Sequence, residues 1–317
     1  MSVDRTQIFP VKLKLLGATL CWGLSFIAIK VALRGYAPIT MVTIRLFLVT
    51  AILGAAAILR GGNSVRPRGR DLARLGFLGF LNPFLAFLLE SFGLAETSAS
   101  LTSILLATVP LFTPFAVYLA WKEPVGGWNF LGLAVSFSGL AAIFMHGAGP
   151  AEYTPRGLVL LSAAVLTALI YGIAVKGPAD RYSPVTVLFY QQGFGFLFYL
   201  PVFLTLTDRS LIPAAGTGAA SLSAIAFLAL FPSAIAYAFY IEGFRKLGPS
   251  RTNAFINLTP VVAAAGSFLI LGEPLGPWKL AGMGVVILGV FVSQVSGVEG
   301  KRGIKRKNRL ETWRYRR

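Results

Sequence analysis

The chain has 317 residues, of which 56% are hydrophobic and only 13% are charged. Soluble domains carry about 25% charged residues, so this composition excludes a single soluble core. One cysteine and one histidine exclude an intrachain disulfide and a multi-histidine metal site, and they leave little material for histidine-based catalysis. The sequence therefore predicts a membrane protein that is not an enzyme and that uses no metal or cofactor.

Apolar stretches of about 20 residues, the length that crosses a bilayer as a helix, recur along the whole chain. Short segments rich in Gly, Pro and charged residues separate them and predict turns. Because lipid offers the backbone no hydrogen-bond partners, each stretch is predicted to be helical. The ten predicted spans cover residues 12–32, 39–59, 72–92, 99–121, 128–146, 157–176, 184–205, 220–242, 252–271 and 278–297.

Most of the 29 Lys and Arg residues crowd into alternate connections and into the C-terminal tail. Cytoplasmic segments of membrane proteins are enriched in these residues, so both termini are predicted to be cytoplasmic. The tail is predicted to attract anionic lipid, at about 1 kcal/mol per basic residue near the surface. Because the net charge of +17 comes from short segments and this tail, nucleic-acid binding is not predicted.

The chain repeats itself at a distance of 150 positions. The identical pairs include Gly93/Gly243, Ser100/Ser250, Pro110/Pro260, Glu123/Glu273 and Trp128/Trp278. Each copy holds five spans, and an odd number of crossings inverts the second copy, as in many secondary transporters. The predicted organisation is a cytoplasmic N-terminal tail (1–11), a first repeat (12–147), an inverted second repeat (148–297) and a basic cytoplasmic tail (298–317).

Four prolines lie near the centres of spans three, four, eight and nine: Pro83, Pro110, Pro232 and Pro260. Each removes an amide donor, and lipid tolerates the freed carbonyl only where protein or a cavity satisfies it. Interrupted helices in matching halves indicate a binding site near the bilayer midplane. A plain packing kink is the alternative.

Polar and aromatic side chains accompany these prolines. Asn253, Asn257 and Pro260 fall on one face of span nine, and Trp22 lies mid-span, away from the interface where tryptophans usually anchor. The alternatives are amides that bond neighbouring helices and a Trp22 that faces lipid. The predicted cavity residues are Trp22, Asn82, Tyr190, Gln191, Tyr237, Asn253 and Asn257.

Ionisable residues gather near the two ends of the spans. Lys30, Arg45 and Glu90 lie toward the predicted outer end, and Lys176 and Glu242 toward the inner end. We hypothesise two related polar gates that open in turn, with snorkelling of the long side chains as the alternative. Glu90 and Glu242 are the only carboxylates inside the predicted spans, so either is a candidate for proton coupling.

Two further patterns predict structural roles. The carboxylates of Glu123 and Glu273 lie in tight turns, where a carboxylate accepts the free amides at a helix start. The glycines of spans five and ten permit close helix packing, and a homodimer through the same glycines is left open. They are Gly132, Gly139, Gly282, Gly284 and Gly289.

The ordered motifs resemble the EamA-like ten-helix exporters of the drug/metabolite transporter superfamily. They are Trp22-Gly23 and Lys30, Arg45-Leu46-Phe47, Thr97-Ser98-Ala99-Ser100, Glu123-Pro124 and Leu271-Gly272-Glu273-Pro274-Leu275. The resemblance covers residues 12–297. It implies an all-α polytopic protein with ten transmembrane helices in two inverted five-helix repeats, placed in a bacterial inner membrane.

For function, the resemblance implies secondary-active export of small metabolites, amino acids or drugs by alternating access. The sequence has no Walker A motif that would supply ATP energy. One alternative is an exchanger of phosphorylated or nucleotide-linked sugars, which predicts deep basic residues in spans nine and ten. The other is a non-transporting membrane scaffold or receptor, which leaves the central prolines unexplained.

Overall fold

The structure is a computed structural model that describes residues 5–59, 67–122, 125–147, 152–206, 218–247, 252, 255 and 257–293. Within these residues, regular structure is helical apart from one isolated bridge between Thr97 and Tyr153. Eight helices are long and apolar enough to cross a membrane, and two shorter apolar helices bring the described set to ten. The predicted all-α polytopic fold is confirmed.

The helices of the first repeat are α1 (Arg5–Ala32), α2 (Pro38–Leu59), α3 (Arg70–Ala95), α4 (Ala99–Ala120) and α5 (Gly127–His146). Those of the second are α6 (Pro155–Ala174), α7 (Pro184–Leu206), α8 (Gly218–Gly243), α9 (Thr259–Leu271) and α10 (Pro277–Ser293). Helix α1 begins earlier than the predicted residue 12. A short helix that the apolar pattern does not predict, Lys176–Arg181, lies between α6 and α7.

Local chemistry fixes several helix ends. The Ser98 hydroxyl accepts a hydrogen bond from the Leu101 amide (3.2 Å) at the start of α4, and the Thr154 hydroxyl accepts one from the Gly157 amide (2.9 Å) at the start of α6. Helix α9 ends at Gly272, whose φ of 69° is in the left-handed region that favours glycine.

Prolines accompany the interruptions of three helices and lie at the described start of a fourth. In α3 and α8, Pro83 and Pro232 lie inside π-helical segments, Phe80–Leu85 and Phe231–Ala236. Within the first of these, Asn82 leaves the helical region altogether (φ −144°, ψ 115°). Helix α4 is divided by a turn at residues 107–108, directly before Pro110, and the described part of α9 begins one residue before Pro260.

Contacts divide the chain into two compact units. The first contains residues 1–109 and 148–275, and the second contains residues 110–147 and 276–317. In the first unit, α2 packs along α7, and α1 packs against α8 and α9. The buried core between these helices is aliphatic and includes Leu46, Val49, Leu188, Ile225 and Leu228. All the contacts of the candidate site described below lie in this unit.

In the second unit, α5 and α10 approach each other closely through glycines. A Cβ atom on Gly289 would lie 2.4 Å from the Ser136 hydroxyl oxygen, so no larger residue fits. The Ser136 hydroxyl donates to the Val286 carbonyl (2.9 Å), and the Asn129 side chain donates to the Ser293 carbonyl (2.7 Å). Four of the five predicted packing glycines, Gly132, Gly139, Gly282 and Gly289, therefore serve the contact between α5 and α10 within the chain.

Many large apolar side chains are exposed, among them Phe47, Ile58 and Leu269, and the last two are more than three-quarters exposed. Exposing so much apolar surface to water is unfavourable in free energy, whereas exposing it to lipid is not. The outward apolar surface thus agrees with the helix lengths in placing the described bundle in a membrane.

Candidate functional site

The interruptions of α3 and α8 contact each other. The Asn82 side-chain amide, inside the break of α3, donates a hydrogen bond to the Tyr237 hydroxyl (3.2 Å), directly after the break of α8. The other side-chain atom, Asn82 Oδ1, is buried and has no hydrogen-bond partner within the described chain. A buried acceptor without a partner is costly, so this oxygen is available to a ligand or water.

Trp22 packs against the same place from α1. Its indole N–H donates to the Pro232 carbonyl (3.2 Å), which lies in the break of α8. Its ring meets Tyr237 and Tyr240 edge-on, at centroid distances of 5.1 and 5.5 Å. The three aromatic rings are each half-buried, so they form a partly accessible wall beside the two breaks.

Arg45 joins α2 to both interrupted helices. Because Pro232 has no N–H, the Leu228 carbonyl loses its helical donor. The Ser233 hydroxyl replaces that donor (2.8 Å) and accepts a hydrogen bond from Arg45 Nε (2.9 Å). The guanidinium lies 3.9 Å from the ring centroid of Phe87 in α3. Arg45 is only 4% exposed, so these contacts hold a charge deep in the bundle.

Glu90 supplies the opposite charge. It is half-buried on α3, one turn after Phe87, and within electrostatic range of Arg45. No ion pair joins the two side chains in the described part of the chain, and no hydrogen bond there involves the Glu90 carboxylate. The site therefore holds an arginine and a glutamate that are within electrostatic range but not joined by an ion pair, next to an aromatic wall.

Of the amides predicted from α7 and α9, Gln191 lies near the same site, because its partner Tyr171 is within electrostatic range of Tyr237 and Tyr240. Gln191 is fully buried and accepts a hydrogen bond from the Tyr171 hydroxyl (3.1 Å), whereas its Nε2 has no partner among the described residues. Tyr190 is half-buried beside Phe189. Asn257 is buried, and neither of its side-chain polar atoms has a hydrogen-bond partner in the described chain. Asn253 lies outside the described residues.

The remaining predicted gate residues lie toward the ends of the helices. Glu242 forms ion pairs with Lys14 of α1 (2.7 Å) and with Lys246 (2.8 Å). Lys30 lines a cavity of about 350 Å³ together with Glu273. The side chain of Lys176 lies outside the described part of the structure.

The EamA-like transporter family matches the chain twice, over residues 11–145 and 155–294. The chain belongs to the EamA-like transporter family. This is a family of transporters rather than of enzymes, and its two matches agree with the internal repeat of the sequence. Membership of this transporter family implies that the chain has a small-molecule substrate and lies in a lipid membrane.

Relatives cover nearly the whole EamA-like chain. A probable terminal-alkyne amino-acid exporter of Streptantibioticus cattleyicolor is 30% identical over 272 residues, which cover 86% of this chain and 89% of the relative. The uncharacterized inner membrane transporter YedA of Escherichia coli is 26% identical over 297 residues, which cover 90% and 91% of the two chains. A crystal structure with 15% identity superposes with a TM-score of 0.66, covering 90% of this chain and 98% of that one, so the two share a fold.

Sequence reasoning missed two residues of this EamA-like site. Ser233 is revealed only by its position after Pro232, where a hydroxyl can donate to the carbonyl that the proline frees. Tyr171, the partner of Gln191, lies in a span without a central proline, and no pattern distinguishes it from the other nine tyrosines.

Proposed function

We propose that this EamA-like protein is a secondary-active transporter that exports small metabolites, amino acids or drugs by alternating access. Its setting is a bacterial inner membrane, with both chain ends in the cytoplasm. The binding site lies between the breaks of α3 and α8.

One observation carries this proposal: the hydrogen bond between Asn82 and Tyr237. It connects an interrupted helix of the first repeat to its counterpart in the second. In a bilayer, irregular backbone is tolerated where it is buried in protein or lines a cavity, and paired breaks near the midplane are typical of transporter binding sites. A receptor or scaffold does not need two such breaks in contact.

The charged side chains beside this contact favour a cargo that has both a positively and a negatively charged group. Arg45 offers guanidinium donors, Glu90 offers carboxylate acceptors, and the ring of Trp22 packs against Tyr237, which binds Asn82. An amino acid matches this set with its carboxylate, its ammonium group and an apolar side chain against the aromatic wall. The name of the Streptantibioticus relative supports the same class of cargo.

Counterflow in proteoliposomes tests the proposal. Purified protein is reconstituted with a panel of labelled amino acids, other metabolites and cationic drugs. We expect saturable exchange of at least one amino acid, reduced at least about tenfold by Asn82→Ala because the contact between the repeats is lost. Gly284→Ala is the control, since a Cβ atom there meets no other atom within 4 Å. Exchange equal to that of protein-free liposomes for every cargo would refute transport.

Energy coupling is tested separately at Glu90. A carboxylate that carries the coupling proton is required for uphill export under an imposed pH gradient, but not for exchange at equal pH. We therefore expect Glu90→Gln to abolish gradient-driven export and to retain counterflow, weakened by the loss of a charged partner for the ammonium group. Equal gradient-driven export in the variant and the wild type would exclude Glu90 as the proton carrier.

A further inference from the structure

Glu273 binds the start of a helix that is 173 residues away in sequence. Its carboxylate accepts hydrogen bonds from the Ala99 amide (2.7 Å), the Ser100 amide (3.2 Å) and the Ser100 hydroxyl (2.7 Å). The first amides of a helix have no intrahelical partners and carry the positive end of the helix dipole. A carboxylate is therefore their strongest available partner, and here it comes from the opposite repeat.

The same segment of the first repeat, residues 96–100, is held from a second direction. The Ser98 amide donates to the Glu152 carbonyl (2.7 Å), and the Thr154 amide donates to the Glu96 carbonyl (3.1 Å). We call residues 96–100 together with these partners the 96–100 junction. All these contacts connect one repeat to the other. They lie at one end of the helix bundle of the first unit, the end that the charge distribution predicts to face outside.

An alternative partner for Glu273 lies close by. A cavity of about 350 Å³ is lined by Lys30, Leu33, Arg34, Ala95, Leu271 and Glu273. Lys30 is within electrostatic range of the Glu273 carboxylate, but no ion pair joins them in the described chain. The Glu273 carboxylate is half-buried, so leaving the start of α4 would cost it hydrogen bonds that water replaces only in part. Lys30 removes that cost.

We propose that Glu273 is a two-position latch of the gate at this end of the bundle. Bound to Ala99 and Ser100, it holds the 96–100 junction closed; transferred to Lys30, it stabilises the open state. This inference rests on the proposed alternating access. It assigns Glu273 a role in conformational change in place of the purely structural one that its turn predicts.

The first test asks whether the latch affects opening, and it needs no knowledge of the cargo. In a Cys21→Ser background, Asn82→Cys reports access to the site by its rate of reaction with an impermeant thiol reagent added from outside. Charge-assisted hydrogen bonds have net values that correspond to about a 10- to 100-fold change in an equilibrium. We expect Glu273→Gln to raise the reaction rate by about that factor and Glu273→Asp to raise it less.

Lys30→Met is the decisive companion variant, because it leaves the closed-state contacts of Glu273 intact. A latch predicts slower labelling of the reporter, since the open state has lost its partner. A purely structural cap predicts that Glu273→Gln lowers the melting temperature, while neither variant changes the labelling rate. That pattern would overturn the proposal, as would a reporter that stays unlabelled in every variant.

The second test asks whether the junction must open during transport. Ser100→Cys and Glu273→Cys are joined by a short, reducible bifunctional thiol reagent, because a cysteine side chain is shorter than the glutamate that it replaces. We expect counterflow to fall at least about tenfold and to recover on reduction. Cross-linking Arg70→Cys to Arg74→Cys, one turn apart on the exposed start of α3, is the control and leaves counterflow unchanged.

Counterflow that persists through complete cross-linking at the 96–100 junction would refute the latch. The two tests also separate this inference from the proposed function. If the wild type transports nothing, the proposed function fails, whereas the labelling experiment still reports whether Glu273 and Lys30 control opening.

Discussion

Arg45 is held by its Nε hydrogen bond to Ser233 and by stacking on Phe87, and its planar guanidinium makes both contacts at once. Lysine keeps the charge, but its single ammonium group cannot stack on the ring and donate from the Nε position together. We expect Arg45→Lys to reduce counterflow by at least about tenfold and to destabilise the protein by about 1–3 kcal/mol, because Ser233 loses its donor and a charge remains buried. The measurements are counterflow and thermal unfolding in detergent.

The matched control for this prediction is Arg70→Lys, an exposed arginine at the start of α3. It changes the same chemical group without a stacking partner or a hydrogen bond in the described structure. Wild-type counterflow and melting temperature in Arg45→Lys would show that Arg45 acts only as a point charge.

At the residue scale, the sequence predicts which residues interrupt a helix or carry a buried charge. It does not predict which distant residue each of them contacts. Pro83 and Pro232 identify the breaks because proline lacks an amide donor wherever it occurs. The hydrogen bond between Asn82 and Tyr237 depends on the register of α3 against α8, which a separation of 155 positions in the sequence leaves undetermined. Glu242 illustrates the same limit, since its partner Lys14 lies on a helix 228 residues earlier.

Two glycines of α10 offer a matched test of helix packing in the second unit. A Cβ atom on Gly289 would lie 2.4 Å from Ser136 Oγ and 2.6 Å from the Gly132 carbonyl oxygen, whereas one on Gly284 meets nothing within 4 Å. Forcing a methyl group into a packed contact costs about 1–3 kcal/mol. We therefore expect Gly289→Ala to lower the melting temperature by several degrees.

Gly284→Ala should instead leave the melting temperature unchanged or raise it slightly, because alanine is favoured over glycine in a helix by up to about 1 kcal/mol. Thermal unfolding followed by size-exclusion chromatography distinguishes the two variants. Equal melting temperatures would mean that α5 and α10 separate easily, contrary to their close contact.

At the element scale, the ten apolar helices could be predicted because length and apolarity alone define a transmembrane helix. The short helix Lys176–Arg181 could not, since it is polar and lies between two spans. The π-helical segments of α3 and α8 were also beyond prediction. A proline predicts that the helical hydrogen-bond pattern is interrupted. Packing against neighbouring helices determines which backbone conformation, here a π-helical segment, forms at the interruption.

At the scale of the whole molecule, the repeat makes the two halves of the chain related, and five crossings per repeat make them inverted. What the repeat does not specify is which contacts between the halves are formed in one conformation. Glu273 reaches Ala99 and Ser100 in this structure. The sequence predicts a carboxylate at a helix start, but the helix it would cap becomes evident only when the repeats are packed together.

The number of membrane crossings determines whether the two termini of the chain lie on the same side of the membrane. The predicted ten crossings would return the chain to its starting side, and the basic segments predict that this side is cytoplasmic. We expect alkaline phosphatase fused after residue 299 to be inactive and green fluorescent protein fused there to fluoresce. Phosphatase fused within residues 207–217, between α7 and α8, should be active, and its fusion within residues 61–66 is the inactive control. An active C-terminal phosphatase together with an inactive fusion at 61–66 would mean an odd number of crossings after α2, and it would refute the ten-span topology.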